Sequence, residues 1–350
     1  MSRVIPKGRR GQGGFTLIEL MLAVTMLSIV MYLTLDSLTR QQKTSIVTDQ
    51  IVEVQNNVRA ISSLIEREIR MAGFMVPNAV GVCGVDRTTG SDELFVSETE
   101  PLVPDDERAG DLGARVTTAW LAGWVAGSPT SLSLNLDSTT TDLDDDGSFF
   151  YDNDNNGTAE ADFRVNGGFI LADMANPERG VVCGTVSAAS STQITIQISG
   201  GQLADHFVSS DAPQEIVIVP AAHYRVNTGS AAGRLERNGD LLANGIDDFQ
   251  LSYLFDDDDG LPSTIGLIDA GEELGISGST YDPATVDNSE LKEVRFSIVV
   301  RTRAADPNFT AGSFIVFENR VAPTAANDNF RRRVIAGAVR PRNIGMQGSI

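Results

Sequence analysis

The sequence predicts an α+β fold: one long N-terminal α-helix, a transmembrane half continued by an amphipathic half, packed on an antiparallel β-sheet head. Three observations predict it. The run from Phe15 to Leu35 is apolar with Glu19 as its sole charge, and no proline occurs between Pro6 and Pro77. Beyond residue 73 the apolar residues recur with period two, the spacing of strands with one buried face. With 41% hydrophobic residues in 350, the chain has material for a sizeable core, which excludes wholesale disorder.

Residues 1–14, MSRVIPKGRRGQGG, hold Arg3, Lys7, Arg9 and Arg10 and no acid, whereas the whole chain carries 47 Asp+Glu against 27 Lys+Arg. A basic leader therefore precedes an acidic body. The segment FTLIELMLAVTMLSIVMYLTL (15–35) meets the length of about 20 residues needed to cross about 30 Å of hydrocarbon. The arginine and lysine bias on its N-terminal side places the leader in the cytoplasm and the bulk of the chain across the membrane. An ordinary secretory signal puts small residues after its apolar core; here Gly13 and Gly14 come before it.

Past Leu35 the helix is expected to continue through 36–72. Ile51, Val54, Val58, Ile61, Ile65 and Ile69 recur at three or four residues and define one face, with Asp49, Glu53, Arg59, Glu66, Arg67 and Arg70 elsewhere. Gly73 and Pro77 end it. A coiled-coil dimer is the alternative, weakened by heptads that are few and mixed. Residues 73–350 read as a β-rich head. Alternation marks strands at TQITIQI (192–198), FQLSYLF (249–255) and VRFSIVV (294–300), each expected to be half-buried. EIVIVP (215–220), FIVFENRV (314–321) and RRRVIAGAV (331–339) add others, and Asn-Gly in RLERNGDLL predicts a hairpin turn. A head of this size implies two β lobes or one with large insertions.

The order GG followed by FTLIELM, behind a basic leader, strongly resembles the signal of type IV prepilins and pseudopilins. The resemblance implies cleavage between Gly14 and Phe15 by a membrane-embedded prepilin peptidase, with methylation of the new amine. Glycine at the cut suits a peptidase that must bring the scissile backbone close. In the family the residue matching Glu19 neutralises the N-terminal amine, here that of Phe15, on a neighbouring subunit, one buried charge compensating another. Snorkelling of Glu19 to the headgroups is the plain alternative. EREIRMAGFM, LERNGDLLANGIDDFQLSYLFD, LKEVRFSIVVRTR and RRRVIAGAVRPRN, in that order, resemble the PilW family of minor pilins. Cys83 sits later than the family's usual cysteine, and AVRPRN replaces its smoother ending.

The resemblance implies a non-enzymatic minor pilin that takes part in type IV pilus assembly, in an initiating or tip complex. Its expected partners are prepilin peptidase, other minor pilins, the major pilin, the inner-membrane assembly platform and membrane lipid. Its expected location is the inner membrane, single-pass with a periplasmic head, and then the pilus at the cell surface. A minor pseudopilin of type II secretion, or an adhesive head on a pilin stalk, remains open.

Cys83 and Cys183 lie on the oxidising side of such a membrane, so a disulfide is the default and two buried thiols the alternative. Two acidic runs invite Ca2+. TDLDDDGSFFYDNDNNGTAEADF places Asp142, Asp144 and Asp146, then Asp152, Asp154 and Asn156, at alternate positions before a glycine, like the first half of a calcium loop. The closing bidentate glutamate is missing, and Asp162 or Glu160 is the candidate to complete a site. The run at 256–273, with Asp256, Asp258, Asp269 and Glu272, has no clean spacing. A solvated acidic loop is the alternative for both.

Other classes find no support. A formal charge of −20 argues against nucleic acid as a partner. Two histidines and two cysteines cannot build the usual zinc cluster. G-x-S-x-G and the P-loop pattern are absent. Paired aspartates interleaved with glycine and asparagine suit turns or metal better than glycosidase chemistry. His206 and His223 read as surface or half-buried residues.

Overall fold

The structure, a computed structural model, describes residues 16–74, 76–98, 114–115, 131–135, 150–151, 160–161, 163–176, 179–189, 193–202, 216–229, 233–255, 273–306, 309, 317–321 and 328–344. The chain divides into two compact units, 1–53 and 54–350, with the division inside the helix α1 (Leu17–Met71).

In the first unit every side chain of α1 up to Ile46 is exposed, including the large apolar ones from Leu17 to Leu38. Among the described residues this is the one helix long and apolar enough to cross a membrane.

The second unit starts with the end of α1, where the i, i+3/i+4 rhythm buries Val58, Ile61, Ile65 and Ile69. The helix stops at Gly73, whose φ of +75° is open to glycine and unfavourable for other residues. Among the described residues sixteen strands follow, every pairing antiparallel. The first are β1 (Val82–Val85), β2 (Glu93–Ser97), β3 (Ala114–Arg115), β4 (Ser131–Asn135), β5 (Phe150–Tyr151) and β6 (Glu160–Ala161). Next come β7 (Gly168–Asp173), β8 (Val181–Ala189), β9 (Gln193–Gly200), β10 (Ile216–Asn227), β11 (Arg234–Arg237) and β12 (Asp240–Asn244). The last are β13 (Ile246–Phe255), β14 (Glu273–Leu274), β15 (Leu291–Arg301) and β16 (Arg332–Val339).

They form a large sheet in the order β1-β2-β10-β7-β8-β9-β4, with β3 and the β11–β12 hairpin joined to β10. A smaller sheet runs β14-β13-β15-β16, and β5 pairs β6 alone. Asn238 and Gly239, at φ 52° and 88°, make the turn between β11 and β12 that Asn-Gly predicts. β10 runs seven residues beyond the expected EIVIVP strand, through its own Pro220. The proline is tolerated because its missing N–H falls on the β2 side, just past Ser97 at that strand's end. Its carbonyl there accepts the Glu98 N–H at 2.9 Å.

The unit 54–350 holds two core clusters. The first gathers Phe95, Phe163, Phe169, Ile170, Val182 and Ile218, and since Phe169 and Ile170 are successive residues of β7 it draws on both faces of the large sheet. The second joins Leu94, Val96 and Tyr224 of that sheet to Ile65 and Ile69 of α1 and to Phe249, Leu251, Phe296 and Ile298 of the small sheet. Directly opposed pairs such as Phe249 with Ile298 and Leu251 with Phe296 hold the small sheet's register.

Two expectations need correction. Neither β13 nor β15 is half-buried: Asp248, Gln250 and Ser252 on the polar face of β13, and Ser297 and Val299 on the matching face of β15, are buried as well. On β13 the cover comes from Gly90 and Ser91, bonded to Gln250 and Asp248 at 2.9 and 2.8 Å, and from the segment read as the strand FIVFENRV. Its described part, 317–321, is a turn with Glu318 at φ 53°. Arg320 Nε donates to Asp248 Oδ2 at 3.0 Å, and Asn319 Nδ2 donates to Asp86 at 2.6 Å, so polar side chains dock there where ladder bonds would otherwise form. Residues 314–316 lie outside the described ones.

Candidate functional site

The functional surface begins at the helix start. Thr16 is the N-cap of α1: its N–H and hydroxyl donate to Glu19 Oε2 at 3.1 and 3.0 Å, while the Glu19 N–H donates to Thr16 Oγ1 at 3.3 Å. This reciprocal capping box satisfies backbone donors that the first helical turn leaves open. Farther along, Thr25, Ser28 and Thr34 donate to the carbonyls of Leu22, Val24 and Val30 at 2.9, 2.8 and 2.7 Å. Their hydroxyls are thereby satisfied within the helix, as an apolar surrounding requires. Asp36 and Arg40 then pair at 3.0 Å one turn apart, at the polar end of the span. Gly14 and Phe15, the expected processing residues, lie outside the described residues.

The end of α1 is held by ionic and hydrogen bonds to the large sheet. Tyr224 Oη donates to Glu68 Oε2 at 2.5 Å, and Arg237 Nη2 lies 3.0 Å from Glu68 Oε1 and 2.8 Å from Glu98 Oε1. Burial raises the Tyr224 pKa and the Glu68 carboxylate adds to it. Burial works against the Arg237 charge, but Glu98 and Glu68 outweigh it, so the guanidinium stays protonated. The last carbonyls of the helix are closed from the far end of the chain. The Arg342 N–H donates to Arg70 O at 3.1 Å, and Asn343 Nδ2 lies 3.4 Å from the carbonyls of Met71 and Ala72. Ile344, 3% exposed, packs beside Gly73 and Gly81.

Cys83 and Cys183 are bonded, with Cα atoms 6.2 Å apart. Because β1 and β8 lie four places apart in the sheet order, this requires the large sheet to curl back on itself.

Two polar residues in the head, His223 and Asp92, are buried beyond what the sequence foretells, with Glu93 half-buried beside them. His223, read as surface or half-buried, is 2% exposed: its ring stacks on Phe95 at 4.4 Å between centroids and its Nε2 lies 2.8 Å from Glu93 Oε2. Burial alone would raise the Glu93 pKa, but His223 and Arg87 outweigh it and hold the carboxyl at about 2. Asp92 accepts the N–H of Arg87 at 2.7 Å and that of Leu251 at 2.7 Å, joining the β1–β2 hairpin to β13. Burial pushes its pKa up to about 8 despite those bonds, with Asp86 and Asp248 adding to the rise. Sequence reasoning misses this cluster, because Arg87 is its one near partner and the contacts that bury it, Glu93 with His223 and Asp92 with Leu251, join residues 130 and 159 positions apart.

Among the described residues no three or more His, Cys, Asp or Glu side chains are grouped to hold a metal ion. The calcium candidates Asp142, Asp144, Asp146, Asp152, Asp154, Asn156 and Asp162 lie outside the described residues, as do residues 256–272. The β5–β6 pairing brackets residues 152–159 through Tyr151 and Glu160.

Residues 9–31 match the prokaryotic N-terminal methylation motif. No curated protein matches the chain. Among solved structures, the type IV-like pilin TTHA1219 from Thermus thermophilus aligns over 83% of this chain and 95% of its own length, at 10% identity and a TM-score of 0.28. So loose a superposition has no bearing on function.

Proposed function

We propose that this chain is a minor pilin of the PilW kind, processed by prepilin peptidase and taking part in type IV pilus assembly within an initiating or tip complex. One observation carries the reading: the methylation motif at 9–31 runs into a helix whose apolar side chains from Leu17 to Leu38 are exposed on every side. Apolar surface of that extent needs lipid or other helices around it. Membrane insertion before assembly and helix packing after it supply the two in turn. The Thr16–Glu19 box sits one residue after the proposed new N-terminus, so the helix is capped once the leader is gone. The stretches that carry the PilW likeness supply β15, β16 and the residues that close the end of α1. The large head favours a terminal place over one repeated along a slim fibre.

Mass spectrometry of sheared filaments tests the reading. The expected result is an N-methylated peptide starting at Phe15, present at far lower abundance than the main subunit. A chain that keeps residues 1–14, or that stays out of the filaments altogether, would overturn it.

A further inference from the structure

β16 is the last strand of the small sheet, bonded to β15 on one side, and among the described residues no strand pairs with its other side. Arg333, Ala336 and Ala338 along it are exposed. An unpaired edge presents a row of backbone donors and acceptors ready to take another strand. Beside it, between α1 and the sheet, lies a groove of about 380 Å3. Val54, Val58, Val300 and Ile335 give it an apolar floor, and Arg59 and Arg333 stand at its sides.

The charge of this edge is opposite to that of the chain. Residues 331–342 hold five arginines and no acid, in a protein of formal charge −20. Three of them have partners: Arg331 with Asp306 at 2.8 Å, Arg332 with Asp247 at 2.7 Å, and Arg340 with Glu293 at 3.3 Å. Among the described residues Arg333 has no acidic partner, and Arg59 across the groove has none either. Arg333 lies on the same face of β16 as Ile335, the face that lines the groove. Two unpaired guanidiniums flanking an apolar groove, beside a free strand edge, therefore ask for an extended ligand with carboxylates and apolar side chains together on one face, at every second residue.

We infer that the β16 edge is a docking site for an acidic, extended segment of a partner protein, which adds to the small sheet as a further strand. Its apolar side chains enter the groove over Val54, Val58, Val300 and Ile335, and its carboxylates meet Arg59 and Arg333. The inference stands on the head alone and does not depend on the assembly role. The competing reading is that the arginines guard the edge against aggregation, a usual task of charge on edge strands.

The test uses the full chain in detergent micelles and a fluorescent synthetic peptide as long as β16 that carries valines and glutamates on one face, at every second residue, and threonine on the other. Its counterparts put lysine in place of each glutamate, or carry N-methyl groups that remove the ladder donors. Saturable anisotropy binding of the glutamate peptide is expected, with roughly tenfold weaker binding of the lysine peptide and loss with N-methylation. Arg59→Glu with Arg333→Glu should reverse the preference, and Arg59→Gln with Arg333→Gln should abolish it. Both residues are exposed, so the variants keep the fold. No saturable binding, equal binding of the two peptides, or a preference untouched by the reversal would overturn the inference and leave the arginines as guards of the edge.

Discussion

Tyr224 and Glu68, 156 positions apart in sequence, meet at 2.5 Å and bind the end of α1 to the centre of the large sheet. Arg237 completes the contact by neutralising both Glu68 and Glu98. Removing the arginine leaves two carboxylates facing each other with little water to screen them. Arg237→Ala should therefore cost about 2 to 3 kcal/mol, and Tyr224→Phe, which removes one neutral donor, about 1 kcal/mol. Denaturant unfolding of the two variants checks the order; a larger loss for Tyr224→Phe would contradict it.

Asp92 makes stability depend on pH in the unusual direction. Its folded pKa of about 8 lies above the ordinary value of 3.8, so the folded state holds a proton that the unfolded chain releases between those limits. The contribution is full below the lower value and is lost as pH rises through the window. Glu93, held at about 2 against 4.5, acts oppositely: its contribution is present above the higher value and is lost as pH falls toward the lower. Asp92→Asn should flatten the decline in melting temperature from acid to mildly alkaline pH. An unchanged slope would remove Asp92 as its source.

The Cys83–Cys183 bridge closes a sequence separation of 100 residues. In the chain-entropy account a loop of that length stabilises the fold by about 4 to 5 kcal/mol. Cys83→Ser with Cys183→Ser should lower the denaturant midpoint accordingly, and reductant should do the same to the native chain without further effect on the double variant.

Ile344 fills the space beside Gly73 and Gly81 at the end of α1. Ile344→Ala should cost about 2 to 4 kcal/mol by leaving a cavity there, and Asn343→Ala about 1 kcal/mol by opening two helix carbonyls. Hydrogen exchange read by mass spectrometry would show the last turn of α1 losing protection first in both variants.

What was legible in the sequence is what periodicity encodes. Ile61, Ile65 and Ile69 on the helix, and Phe249, Leu251, Tyr253 and Phe255 on β13, reach the core as their spacing requires, because one buried face imposes one repeat. The burial of β13's other face was not legible, since its polar residues pair with Arg320, long after it in the chain, and with Gly90 and Ser91, long before it. The alternation in FIVFENRV looks like a strand, yet the left-handed backbone at Glu318 bends it into a turn. His223 illustrates the same limit: a polar residue enters a core when a partner waits there, and Glu93 stands 130 positions away. The cysteine pairing could be named because there are two cysteines, whereas the curl of the sheet that brings them together could not. Of the expected assembly residues the structure describes Glu19, whose carboxylate caps its own helix; that arrangement leaves its role toward a neighbouring subunit to experiment.

The most direct measurement is a clean deletion of the gene, with sheared surface pili and secreted exoproteins scored side by side and with wild-type and Glu19→Ala complementation. The account predicts few or no pili, normal secretion, rescue by the wild type, and processed Glu19→Ala protein that enters filaments poorly. Normal pili with exoproteins held back in the periplasm would contradict it and move the protein to a secretion pseudopilus.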